Sequence, residues 1–119
     1  MNIQELTTKI QECLTPDLLK KPYREKNKNN PMYGHCYVAT EALYHSLDDR
    51  TKYQIQHGKD HEGVVHWWLR EKETGEIVDV TSDQYYSQGL TPPYNNGRNG
   101  SFLTNFPSKR AVTLMERIK

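Results

Sequence analysis

The sequence predicts an α+β fold in which helices pack on a small antiparallel sheet. Three observations predict it. Apolar residues recur every three or four positions in residues 2–13 and 34–47, the period of a helix with one buried face. Three later runs, 51–57, 63–70 and 76–81, carry β-branched and aromatic residues in strand-like patterns. The last two flank Glu71-Lys72-Glu73-Thr74-Gly75, a turn signal that joins them as a hairpin. The length of 119 residues suits one domain over 1–119.

The first helix presents Ile3, Leu6, Ile10 and Cys13 as one stripe. Thr15-Pro16-Asp17 breaks it, and Pro16 can equally open a short turn containing Leu18 and Leu19. Residues 20–33 are polar, rich in Lys and Asn, with prolines at 22 and 31; they read as a long surface loop. The next helix should begin near Gly34 or His35, place Cys36, Ala39, Leu43 and Leu47 on one face, and end at Asp48-Asp49. In the first strand Tyr53, Ile55 and His57 alternate. The second contains Val64-Val65-His66-Trp67-Trp68-Leu69, and the third Ile77-Val78-Asp79-Val80. Residues 82–106 contain Pro92-Pro93 and Asn95-Asn96-Gly97 and read as irregular, studded with Tyr85, Tyr86, Tyr94, Phe102 and Phe106. A last helix within 107–119 carries Ala111, Leu114, Met115 and Ile118, with Pro107 or Ser108 at its start.

Composition narrows the function classes. Sixteen basic and fifteen acidic residues leave a net charge of +1, which exerts no general pull on nucleic acid or an anionic membrane. The local run Lys20–Lys28 is basic, and reads as a solvated loop. A nucleic-acid reading would require Lys109 and Arg110 to continue that run in space. At 34% hydrophobic the core must be small, so the eight Tyr, two Trp and two Phe should supply much of it. No apolar segment looks like a signal peptide or is long enough to span a membrane. The expectation is a cytoplasmic protein with both Cys13 and Cys36 as free thiols.

The two cysteines differ in setting. Cys13 belongs to an apolar stripe and suits packing. Cys36 falls in the first turn of a helix, where exposed N–H groups and the helix dipole favour the thiolate. His66, on a strand, can take the thiol proton or pair with the thiolate. Asp79, on the next strand, can orient the imidazole through its second nitrogen. With Lys72–Gly75 as the loop, Glu71 stands opposite Glu76 and Thr81 opposite His66. Asp79 is then the diagonal neighbour of His66 on the same face, about 7–8 Å away between backbones and within reach of a long side chain. A loop one residue longer or shorter would send Asp79 to the other face.

Gly34-His35-Cys36 opening a helix, His66-Trp67-Trp68, and Asp79-Val80-Thr81 followed by Gln84-Tyr85 together resemble the transglutaminase-like and papain-like cysteine hydrolases. Within that superfamily the chain is most similar to the small YunG-like proteins of bacteria and phages, over roughly residues 30–86. Those proteins show Gly-Gln-Cys, His-Tyr-Trp and Asp-Leu-Thr followed by Gln-Phe; here His35 stands where they carry Gln. The resemblance implies a papain-like or transglutaminase-like core with the cysteine at a helix N-terminus. It also implies a Cys36-His66-Asp79 triad acting on an amide or acyl bond of a protein, peptide or small amide. Peptidase, deamidase, amidase and transglutaminase outcomes all fit.

Further residues are candidates to touch a substrate. Tyr33 and His35 flank Cys36. Trp68 shares the face of His66 and is either a platform or core. Gln84 follows the Asp79 strand. Tyr94 and Arg98 lie in the Asn/Gly-rich stretch, where Arg98 suits an anionic group. No cofactor is expected. A zinc site from His35, Cys36, His66 and His61 or Asp79 lacks the usual Cys-x-x-Cys or helical His spacing, so no metal is expected either. The rival reading is a binding or inhibitor protein that keeps the fold without turnover and recognises its partner through its aromatics and loops.

Overall fold

The computed structural model describes residues 2–119. Helix α1 spans Ile3–Glu12, and a 3₁₀ turn follows at Pro16–Leu18. Asn2 caps α1, accepting from Glu5 N at 2.8 Å while its amide donates to the Glu5 carboxylate at 2.8 Å, a reciprocal cap. Helix α2 spans Lys21–Asn27, inside the segment expected to be a loop. The Lys- and Asn-rich composition and the prolines at 22 and 31 suggest a loop, but in the first turn Pro22 lacks only an N–H that would be unbonded anyway. Arg24 and Lys26 then fall in the last turn, where cations suit the dipole.

Helix α3, Cys36–Ser46, begins one residue after His35 and buries Ala39, Ala42 and Leu43. Gly34 makes the entry possible. Its φ is +85°, and a Cβ there would meet Leu19 Cδ2 at 2.9 Å. Asp49 then accepts from Thr51 N, closing a 3₁₀ turn at Arg50–Lys52 and delaying the first strand by two residues. The strands are β1 (Tyr53–Lys59), β2 (Val65–Glu71) and β3 (Ile77–Val78). A short helix α4 (Asp83–Tyr86) and a two-residue strand β4 (Arg98–Asn99) lie within the stretch expected to be irregular. Helix α5, Lys109–Arg117, is capped by Ser108.

The sheet is antiparallel, in the order β3-β2-β1-β4. Its hairpin register pairs Leu69 with Val78, and Glu71 N donates to Glu76 O at 2.8 Å across the turn. β3 is shorter than the run 76–81 because Asp79 Oδ1 accepts from Thr81 N at 3.1 Å. That local turn takes the chain out of the ladder. Ile55 and Leu69 are register partners and meet Leu6, Ile10, Leu43, Val80 and Leu114 in one core. Each such leucine contributes about 1.5–3 kcal/mol by leaving water. Gln11 Nε2 ties α1 to Val80 O at 3.0 Å, beside the segment that carries Asp79. Glu41, fully buried in mid-α3, accepts from Ser108 N at 2.8 Å and Ser108 Oγ at 2.7 Å, fixing the start of α5.

No helix among the described residues is long and apolar enough to cross a membrane. Cys13 and Cys36 are both unpaired thiols. Cys13 caps the end of α1, half-buried against the core.

Candidate active site

Three elements converge at one end of the sheet. The N-terminus of α3 brings Cys36 to the start of β2, where Sγ lies 3.7 Å from Val65 O. His66, the next residue, is fully buried. Its Nε2 lies 2.6 Å from Asp79 Oδ2, and the Asp79 side chain is only 3% exposed. The ladder ends at Leu69 and Val78, so Thr81 does not pair with His66 as expected, but Asp79 leaves the sheet one residue later and its carboxylate still reaches the ring.

Asp79 is held from three directions. Tyr94 Oη donates to the same Oδ2 at 2.8 Å, and Thr81 N occupies Oδ1. With the carboxylate ionised, Nε2 of His66 carries the proton, and Nδ1 is left for Cys36. Nδ1 is buried and has no partner of hydrogen-bonding geometry among the described residues. The thiol nevertheless acts on the ring. Burial alone would suppress the imidazolium, but the Asp79 hydrogen bond, Cys36 and the charges of both outweigh it and raise the His66 pKa to about 9. The ring is therefore held in its cationic form beside the Cys36 side chain.

A second layer holds His66 in place. Tyr85 packs edge-on against its ring, centroids 4.8 Å apart, and Tyr85 Oη donates to Asp60 Oδ2 at 2.8 Å. Asp60 also accepts from Glu62 N and Val64 N, fixing the loop into β2. Burial, together with Asp60 and Asp79 respectively, pushes the Tyr85 and Tyr94 hydroxyls well above the ordinary phenol range, so both remain donors.

A cleft of about 760 Å³ opens beside Cys36, and Tyr33 and Gln84 line it. The other candidate residues lie elsewhere. His35 is 1% exposed and does not line the cleft, because the turn at Gly34 tucks it behind the helix start. Neither of its ring nitrogens has a partner among the described residues, and burial lowers its pKa to about 4. Trp68 is fully buried, its Nε1 donating to Gln56 Oε1 at 3.1 Å, so it is core and not a platform. Tyr94 binds Asp79 rather than lining the cleft. Arg98 sits on β4 beside His57 and lines a separate cavity.

No family model, curated protein or solved structure matches this chain.

The cleft also uses residues that the sequence did not single out. Trp67 forms a wall with Tyr37, edge to face at 5.0 Å, and Lys20, Lys109 and Arg110 line it too. Strand alternation was a usable signal for Trp67, since it faces opposite to the buried Trp68. Nothing in the sequence joins residue 20 to residues 109 and 110. Among the described residues, no group of three or more His, Cys, Asp or Glu is placed to hold a metal ion.

Proposed function

We propose that the protein is a cysteine-dependent hydrolase or acyltransferase acting on an amide or acyl bond. The observation that carries this reading is the buried His66–Asp79 pair, whose imidazole is held cationic beside a cysteine at a helix N-terminus. The papain-like arrangement and the YunG-like resemblance belong to the same proposal: the order of Cys36, His66 and Asp79 along the chain is what that resemblance implies.

Cys36 Sγ attacks the acyl carbon, and the carbonyl electron pair moves onto oxygen. The first turn of α3 has no side-chain cap, so its N–H groups are available to the oxyanion. His66 gives its Nδ1 proton to the leaving amine, the C–N bond breaks, and a thioester remains. Water or a second amine then attacks the thioester, transferring its proton to His66 as the thiolate departs. Asp79 and Tyr94 keep the ring oriented throughout.

Iodoacetamide labelling against pH tests this reading. Cys36 should react at pH values where Cys13 does not, and His66→Ala should lower the Cys36 rate about 100-fold or more. Cys36→Ser should abolish function and leave the melting temperature nearly unchanged. Equal, slow labelling of both thiols in the native protein would overturn it. The binding-protein reading is favoured by Leu103 and Phe106, which are 91% and 80% exposed on the loop before α5. That reading requires Cys36→Ser to keep full function.

A further inference from the structure

The cleft beside Cys36 has a charge pattern that the thiol chemistry does not use. Lys20, Lys109 and Arg110 line it, and no Asp or Glu does. Lys26, Lys28, Arg117 and Lys119 are each paired with a carboxylate, whereas these three cations have no such partner among the described residues. Lys109 and Arg110 open α5, whose first turn holds no acid. Cations at a helix N-terminus oppose the dipole, so this placement sacrifices helix stability and concentrates positive potential at the cleft. Glu41 is the nearby counter-charge, but it is fully buried with both oxygens bound to Ser108, and offsets one cation at most.

The rest of the lining is mostly apolar, with Leu19, Tyr37 and Trp67 prominent. A single uncharged polar side chain stands out. Gln84 is 6% exposed and lines the same cleft, and its Oε1 has no partner among the described residues. A buried amide acceptor left open costs stability unless a ligand donor fills it.

We propose that the cleft takes an acyl donor in which an aromatic or branched apolar group is followed by a negatively charged group. The apolar group packs on Trp67 and Tyr37, the anion lies at Lys109, Arg110 and Lys20, and Gln84 accepts the N–H of the scissile amide. This rests on Cys36 being the nucleophile.

Chloroacetamide probes test it, because the Cys36 thiolate displaces chloride and the new C–S bond is read by mass spectrometry. Two pairs are compared on the full chain: 4-(chloroacetamido)benzoate with its neutral carboxamide, and chloroacetyl-Phe-Asp-amide with chloroacetyl-Phe-Asn-amide. The charged member should label Cys36 roughly 5- to 10-fold faster. That preference should vanish in high salt and in the Lys20→Ala/Lys109→Ala/Arg110→Ala variant, whose melt verifies folding. Cys13 should show no preference. A preference in the benzoate pair alone supports a free aromatic acid as the source, and in the peptide pair alone an acidic polypeptide. Equal labelling by charged and neutral probes overturns the substrate class and leaves the nucleophile intact. A short RNA that protects Cys36 without any carboxylate preference assigns the cations to nucleic acid and also overturns it. Failure of every probe at Cys36, with Cys13 labelled after unfolding, overturns the nucleophile and this proposal with it.

Discussion

His66 and His35 are buried to the same degree on either side of Cys36, yet they are driven to opposite charge states. His66 meets Asp79 at 2.6 Å and is raised to about 9; His35 meets no partner among the described residues and is lowered to about 4. Burial penalises the imidazolium at both positions, so burial does not distinguish them. The difference is the carboxylate, itself held by Tyr94 and Thr81. A buried histidine beside a cysteine is thus not by itself a sign of chemistry; the partner on its far nitrogen is what separates a charged ring from a neutral packed one.

Removing the partner relationship altogether should have the largest effect. His66→Ala leaves the Asp79 carboxylate buried without its counter-ion, a loss of about 3–5 kcal/mol when a buried pair is broken from one side. Tyr94 and Thr81 still donate to Asp79, which places the expected loss toward the lower end. Urea unfolding measures it. A loss below about 1 kcal/mol would mean that His66 and Asp79 do not form a charged pair.

The two rings should also write themselves into stability as a function of pH, in opposite directions. His66 has a folded pKa above the unfolded value near 6.5. Its contribution is complete below about 6.5 and is lost as pH rises through about 9. His35 has a folded pKa below the unfolded value, so the unfolded chain binds the extra proton. Its contribution is complete above about 6.5 and is lost as pH falls toward about 4. Each limb is on the order of 3 kcal/mol, and together they put the stability maximum near neutral pH. Urea midpoints between pH 4 and pH 10 check the shape (roughly the span over which both rings titrate). A curve flat from neutral pH to pH 9 would remove the His66 assignment.

Tyr94→Phe makes a smaller change. The hydroxyl donates to a charged acceptor, and its loss should cost about 1–2 kcal/mol. It also competes with His66 for the same Oδ2. Without it the carboxylate holds the imidazolium more strongly, so the alkaline limb should move to higher pH while stability falls. Tyr94 as mere packing would lower stability and leave the limb in place.

How far the sequence foretold these two environments follows from the range of the interactions involved. The turn Lys72–Gly75 sets the register of Leu69 with Val78, and Asp79 reaches His66 one residue beyond that ladder, so the contact was legible from local spacing although the expected pairing of Thr81 with His66 is not formed. The helix was legible for the same reason, although it starts at Cys36 and not at Gly34 or His35. The fate of His35 was not, because it depends on Gly34 at φ +85° packing against Leu19, a contact between separate segments. The cleft was hidden for a related reason. Its walls include α2, whose polar composition and prolines read as loop, and the start of α5, and only tertiary packing brings Lys20 to Lys109 and Arg110. The sequence had allowed a nucleic-acid surface if those residues met; they do meet, but around the thiol cleft, while Lys26 and Lys28 are paired with Glu62 and Glu25.

The smallest expected effect is at His35, and its sign makes it informative. His35→Leu swaps an imidazole for an apolar side chain of similar volume, and such swaps usually cost less than about 1.5 kcal/mol. Here the exchange also removes two buried ring nitrogens that have no partners among the described residues. Burying unpaired polar atoms is unfavourable, so their removal should offset any misfit and leave stability unchanged or slightly raised at neutral pH. Below pH 6 the variant should be clearly more stable than the parent, because it has no ring to protonate in the unfolded chain. Cys36 alkylation should stay within about twofold of the parent, since His35 does not line the cleft. Urea midpoints at acid and neutral pH, with the labelling rate beside them, give all three readings. A large fall in Cys36 reactivity would show that His35 takes part in the chemistry, and that a missing partner does not mark a packed histidine in this protein.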